Sequence, residues 1–297
     1  MKNVLVIGGT RFFGRDLVEL LLDKGVQVTL LTRGQTEDSF GDRVQRLTAD
    51  RTDVKALQHA VGNRTFDVVY DNICYNAREA MEACSVFSGR AGRYIVTSSL
   101  SVYEFGEQVL LEEQVDTFHH PIDSNPEAKP DYAEGKRQVE AVFFQQADFP
   151  VAAVRFPIVL GPNDYTKRLH FHVGRVQRGE VIGISNLAAR MNFIHEQEAA
   201  DFLYWLGMSS ELTGPVNARS DGEITLLELI TLIEQETGCK AIVRSKTEES
   251  EQSPFGVPSS WIMDTSKAYR AGFRFRQLSE WLPVLISGIA AEERGDR

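Results

Sequence analysis

Cysteine is scarce in this chain. Its 297 residues hold three, Cys74, Cys84 and Cys239, too few and too scattered for a disulfide framework or a thiolate metal site, so a reducing, cytoplasmic setting is expected and no metal is. Long hydrophobic runs are missing as well. No stretch reaches the roughly 18 apolar residues that span a bilayer, and the N-terminal run Val4–Ile7 ends in glycines, too short for the core of a signal peptide. Positive charge is in deficit: 32 Lys+Arg against 42 Asp+Glu leaves a formal charge of −10. A molecule so charged repels nucleic acid and anionic lipid, so an anionic ligand must be held by a local pocket. The remaining composition, 42% hydrophobic and 25% charged, is that of a globular protein that can bury a sizeable core. The length suits one domain plus a smaller lobe.

Through the first half, short apolar runs alternate with amphipathic stretches. Val4–Ile7, Val26–Leu31, Val44–Thr48, Asp67–Tyr70, Tyr94–Thr97 and Val151–Phe156 read as strands. Phe13–Lys24, with Phe13, Leu17, Leu20 and Leu21 at helical spacing, and Val139–Ala147 read as helices. Continuous Val/Ile/Leu strands separated by helices predict a parallel sheet covered on both faces, a doubly wound α/β (Rossmann) domain over residues 1–157. After Pro157 the alternation decays, and residues 158–297 are expected to form a smaller C-terminal α+β substrate lobe, with a segment near 190–205 returning to the first domain. One helix stands out there, Leu226–Thr237 after the candidate N-cap Thr225. Lys246–Ser253 reads as an exposed loop.

Gly8-Gly9-Thr10-Arg11-Phe12-Phe13-Gly14 lies directly between the first strand and the first helix. In that context Gly8 permits the tight turn, the helix N-terminus offers unpaired N–H groups and a positive dipole end to a pyrophosphate, and Gly14 lets helix and strand approach closely. Arg11 stands where many such loops carry glycine and is expected near the cofactor phosphates. The second strand ends Thr32-Arg33, where NAD-preferring proteins place an acid for the ribose 2′-OH. Arg33 suits a 2′-phosphate, so NADP is expected, with NAD as the alternative. Asp50-Arg51 closes the third strand as a candidate contact to adenine.

Tyr132 and Lys136 sit four residues apart, on one helical face. A phenol is a poor acid/base at neutral pH until a cation stabilises its phenolate, which Lys136 can do while binding the cofactor ribose. A run of hydroxyls, Thr97-Ser98-Ser99-Leu100-Ser101-Val102-Tyr103, follows the fifth strand, at the sheet edge where ligands bind in open α/β folds.

With these motifs in order, the chain resembles the extended short-chain dehydrogenase/reductase superfamily, specifically its NAD(P)-dependent epimerases and dehydratases acting on nucleotide sugars. Further motifs extend the likeness: Arg155-Phe156-Pro157 with Gly161-Pro162, Asn192-Phe193-Ile194-His195, and Asp264-Thr265-Ser266-Lys267-Ala268. The resemblance implies Ser99 as the catalytic hydroxyl, with Ser98 the alternative, Tyr132 as general acid/base and Lys136 as its activator. It implies Asn72-Ile73-Cys74 beneath the cofactor, Thr97 and Ser98 beside it, and Phe156-Pro157 along the nicotinamide. Cys74 itself reads as a small buried residue rather than a reactive thiol. Tyr103, Arg190, Asn192 and Trp261 join Ser99 as expected substrate contacts. The implied function is an epimerase or reductase of a sugar, a nucleotide sugar in particular, working by hydride transfer. A homodimer is left open.

Some positions depart from that pattern. Arg190 is shifted by one from the family's phosphate-binding arginine, and Lys246–Met263 holds no arginine to serve as the second. The family's dehydratases carry Thr-Asp-Glu where Ser99-Leu100-Ser101 stands, so dehydration is disfavoured. Two alternatives follow: an NADPH-dependent reductase of a small non-nucleotide carbonyl compound, or a non-catalytic protein that uses the Rossmann fold to bind RNA or a regulatory partner. The second rests on the form of the glycine loop, which is similar to that of chloroplast RNA-binding relatives, and on the basic, aromatic stretch Lys167–Arg178. The charge of −10 argues against nucleic acid. His170 and His172 lack a third ligand in any obvious pattern.

Overall fold

The computed structural model describes residues 2–123, 125 and 130–295. Seven parallel strands form the central sheet: β1 (Asn3–Ile7), β2 (Gln27–Thr32), β3 (Gln45–Thr48), β4 (Val68–Asp71), β5 (Tyr94–Ser99), β6 (Val151–Phe156) and β7 (Gly214–Asn217), in the order β3-β2-β1-β4-β5-β6-β7. The central strands are buried along nearly their whole length, which is why they read as unbroken apolar runs rather than alternating ones. Helices cover both faces. α1 (Phe12–Asp23) packs with α6 (Glu196–Met208) on one side, while α2 (Val54–Val61), α3 (Ala77–Phe87) and α4 (Tyr132–Gln146) lie on the other. The expected doubly wound sheet is present.

Strand order reverses between β1 and β4, and in open parallel sheets such a switch point leaves a crevice beyond the carboxyl ends of the strands. The Gly8–Gly14 loop follows β1 and Asn72 follows β4, so the topology brings both to that crevice. The return to the sheet is longer than the stretch 190–205. It starts with Phe193–His195 pairing with Ile158–Leu160, continues through α6 and ends in β7 at the sheet edge.

The second lobe gathers around α5 (Arg168–Arg178), α7 (Leu226–Thr237) and α9 (Leu278–Gly295), which enclose a separate core of Leu169, Val173, Leu229, Ile233, Leu282 and Ile286. α7 begins at Thr225, whose side chain caps Glu228 N while Glu228 bonds back, a reciprocal capping box. Short strand pairs tie the lobe together. One of them, Val109–Leu110 with Ile262–Met263, joins it to the segment after β5. Among the described residues no helix is long and apolar enough to cross a membrane.

Candidate active site

The glycine loop is built for close approach. Gly8 has φ +79°, and a Cβ there would come within 2.7 Å of Ile73 Cγ2. At Gly14 a Cβ would sit 2.6 Å from the Gly8 carbonyl oxygen. Arg11, the N-cap of α1, makes no side-chain cap, and the first turn carries no acid, so the helix N–H groups face the crevice without a protein acceptor from the cap. A loop narrowed by glycines at the mouth of uncapped N–H groups fits a dinucleotide pyrophosphate. The left-handed residue after Gly8 is Phe12, at φ +54°. A non-glycine there costs about 1–2 kcal/mol, offset by burial of the ring against Phe13 at 5.5 Å between centroids. Phe13 itself turns inward onto Phe156 at 5.8 Å.

Beside the loop, Asn72 holds the cradle in place. Its Nδ2 donates to the Gly8 carbonyl at 3.3 Å and its Oδ1 accepts from Thr97 Oγ1 at 2.9 Å, linking the ends of β1, β4 and β5. Alternation along β5 turns Ser98 and Ser99 to opposite faces. Ser98 is buried and donates to Glu140 Oε1 at 2.5 Å, which leaves Ser99 at the crevice. Ser99 Oγ accepts from Ser101 N at 3.1 Å, and the Ser99 hydroxyl lies close enough to Tyr132 to lower the phenol pKa.

Tyr132 opens α4, whose N-cap is Asp131, bonded to Glu134 N. Its side chain remains 56% exposed at the cleft, yet the protein around it pushes the phenol above its ordinary pKa; the Ser99 hydrogen bond and the Arg168 guanidinium pull it partway back. One turn on, Lys136 is buried, with Nζ donating to the carbonyls of Cys74 at 2.8 Å and Thr97 at 2.7 Å. Burial lowers its pKa to about 8. Nζ lies 5.8 Å from the Tyr132 ring centroid and 4.6 Å from that of Tyr75. An ammonium has three N–H groups. With two on carbonyls, one remains, beneath the Tyr75 ring. Cys74 contributes that backbone oxygen, while burial raises its thiol pKa and keeps it protonated.

Other expected site residues have partners within the protein. Arg51 is buried, donating to Asp71 Oδ2 at 2.6 Å and to the Glu79 carbonyl at 3.0 Å, so its guanidinium is committed away from an adenine; its neighbour Asp50 stays exposed and accepts from Thr52. Tyr103 is buried, its hydroxyl donating to Asn217 Oδ1 at 2.8 Å and accepting from Arg155 at 2.7 Å. It belongs to the network around the Arg155–Glu140 pair, which meets at 2.6 Å with both side chains fully buried. Asn192 is wholly buried and pairs with the backbone of Gly222 and Met263. Trp261 packs on Phe105 at 4.4 Å. Arg190 is bound to Glu223 at 2.8 Å and faces Glu107 at 3.8 Å. His172, from the basic stretch, is buried, bonded to Ser253 and stacked on Phe255.

Three cleft residues escape sequence reasoning. Tyr75 covers the Lys136 ammonium, Tyr165 meets the phosphate loop through Arg11 and Phe12, and Arg168 acts on Tyr132. None falls in a motif. The one signal is that Arg168 lies at the head of the basic stretch.

Fold and cradle together define a Rossmann-type α/β protein with a glycine loop at the switch point of its parallel sheet. Residues 4–73, which hold β1, the glycine loop and β4, match the model of the NAD dependent epimerase/dehydratase family. Over the whole chain, the structure is similar to UDP-glucose 4-epimerase from Thermotoga maritima, solved with UDP-glucose (TM-score 0.75, 15% identity, 99% of each chain). It is also similar to dTDP-glucose 4,6-dehydratase from Bacillus anthracis, solved with NAD (TM-score 0.76, 14% identity, 99% of this chain and 98% of that one). A curated relative, chloroplast stem-loop binding protein of 41 kDa b from Arabidopsis thaliana, is 28% identical over 223 residues, 69% of this chain and 55% of that protein. The chain spans about half the length of that relative. The family match thus covers the cradle, and the likeness from end to end is one of fold.

Proposed function

We propose that the protein is an NAD(P)-dependent epimerase or reductase of a sugar, with a nucleotide sugar as the favoured substrate class. The observation that carries this reading is the placement of Ser99, Tyr132 and Lys136 beside the glycine cradle: the buried Lys136 Nζ lies 5.8 Å from the Tyr132 ring and donates to the Thr97 carbonyl, while Asn72 links Thr97 to Gly8. A bound nicotinamide supplies the hydride acceptor and donor. The chain's own groups do the rest. Ser99 orients the substrate oxygen, the Tyr132 hydroxyl gives or takes its proton, and the Lys136 charge favours the phenolate; Lys136 would also be the residue to hold the cofactor ribose. The Arg168 charge adds to the same effect.

NADP is the favoured cofactor. Thr32 Oγ1 is occupied by Gly34 N at 3.1 Å, and Arg33, exposed at the tip of β2, has no ion pair among the described residues. That leaves a cation at the end of β2, with the Asp50 carboxylate near enough to feel its charge but not paired with it, where a 2′-phosphate would sit.

Substituting Tyr132→Phe tests the mechanism. Loss of about 10²–10⁴-fold in turnover, with cofactor binding retained by titration, is expected; a variant that keeps most of its cofactor-coupled activity overturns the role given to Tyr132. A second reading, RNA binding, is favoured by the stem-loop binding relative. Against it, the basic stretch is not one open face, because Arg175 is bonded to the carbonyls of Val181 and Ser250 and Arg178 to Glu180. Salt-dependent RNA binding that survives Tyr132→Phe, with no cofactor-coupled turnover in the parent protein, supports that alternative.

A further inference from the structure

Arg11 is an unusual tenant of the phosphate loop. Its backbone is extended, φ −137° and ψ 152°, a conformation open to any residue, so the position can carry a long side chain without strain. That side chain is exposed and has neither a hydrogen bond nor a carboxylate partner among the described residues. What it meets instead is an aromatic ring from the second lobe: its guanidinium carbon lies 6.0 Å from the centroid of Tyr165. Phe12 approaches the same ring edge-on at 6.1 Å.

Tyr165 is held there by a rigid loop. Asp164 accepts from Thr166 N at 2.9 Å and from Thr166 Oγ1 at 2.5 Å, Asp164 N donates to the Gly161 carbonyl, and Asn163 is tied to Glu196 at 2.8 Å. This well-fastened loop presents a tyrosine that is 62% exposed. Folding gains little from an exposed ring on an exposed arginine, whereas the place they share is the mouth of the pyrophosphate cradle.

We propose that Arg11 and Tyr165 form a latch between the lobes, closing over the pyrophosphate of a bound nicotinamide dinucleotide so that the cofactor stays in place between turnovers. Arg11 supplies the cation for the phosphates, and the Tyr165 ring fixes the guanidinium through its π face. Tyr165 is a positioning residue, acting through Arg11. The proposal rests on the dinucleotide reading of the glycine loop, and the test separates the two.

The experiment preloads the full-length protein with NADPH and follows its release by fluorescence in stopped flow after adding excess NADP. Tyr165→Ala and Arg11→Gln are each expected to speed release about tenfold. Tyr165→Phe, which keeps the ring, is expected to stay within twofold of the parent. Because the ring works through the arginine, the double variant should release no faster than Arg11→Gln alone. If the parent binds NADPH and Tyr165→Ala releases it at the parental rate, or if the two substitutions add, the latch is overturned and the cofactor reading survives. If the parent binds neither NADPH nor NADH, both fall. Both side chains are exposed, so the variants should fold, and matching thermal transitions would document it.

Discussion

The arginines beside the glycine cradle and the motif arginine of the second lobe commit their charges differently. At the cleft of the first lobe, Arg11 and Arg33 carry no ion pair among the described residues, and Lys136 keeps an N–H to spare. In the second lobe, Arg190 is held between Glu223 and Glu107, Arg178 between Glu180 and Glu293, and Arg219 beside Asp221. Cations without a carboxylate partner occur in both halves of the described chain, so what sets Arg11 and Arg33 apart is their place, just after β1 and β2 at the carboxyl edge of the sheet. In the second lobe Arg190, shifted by one in its motif, is already paired with Glu223.

Deep in the first lobe charge is committed in the opposite sense, and breaking one such commitment should give the largest effect. Glu140 accepts from Arg155 and from the hydroxyls of Ser98 and Thr117, all of them buried. Removing it strands a guanidinium in the core, so Glu140→Ala should cost about 3–5 kcal/mol in urea unfolding. A loss below about 1 kcal/mol would mean the pair is hydrated, and the contrast between committed core charges and free cleft charges would fail. The same network explains why Tyr103, a residue of the hydroxyl-rich motif, serves stability rather than substrate.

A smaller effect is expected at the free cation of the β2 tip. Arg33→Ala should weaken NADP binding by roughly 1.5–3 kcal/mol, the range of a charge-assisted hydrogen bond, and leave NAD binding nearly unchanged. Equilibrium titration with both cofactors reads this directly. Equal loss for the two would show that Arg33 does not meet the 2′-phosphate and would remove it from the set of reserved cations.

How much of this was legible in the sequence follows from where the physics is local. β1, β5 and β6 are continuous apolar runs because both their faces are covered, and α7 declares itself through Thr225 and Glu228. The glycine loop is equally local: strand, turn and helix are adjacent in the chain. By contrast, α9 hides its stripe of Trp281, Leu282, Leu285, Ile286 and Ile289 behind Pro283, which lies inside the helix and reads as a breaker. Ser99 and Ser98 are adjacent hydroxyls, and the partner Glu140, 42 residues on from Ser98, is what separates them. Tyr75 and Tyr165 reach the cleft only through the meeting of distant loops. Asn192 and Arg51 sit in motif positions yet point into the fold, since a motif fixes a place on the backbone and the surrounding partners decide what the side chain serves.

The gentlest test addresses the neutralised arginine itself. Arg190 and Glu223 are both partly exposed, 37% and 40% by side chain, and such pairs contribute within about 1 kcal/mol to stability. Glu223→Gln should accordingly leave the unfolding transition almost where it was while freeing much of the Arg190 charge. If the second lobe is closed to diphosphates because its cation is taken, the variant should bind inorganic pyrophosphate several-fold more tightly than the parent in low salt, and Arg190→Gln placed on top should abolish the gain. The salt dependence matters, since a contact this exposed is screened over about 10 Å at 0.1 M. A gain that persists without Arg190 would place the anion elsewhere in the cleft. No gain at all would mean that Arg190 faces away from the substrate path, and the asymmetry between the lobes would then be one of geometry rather than of charge.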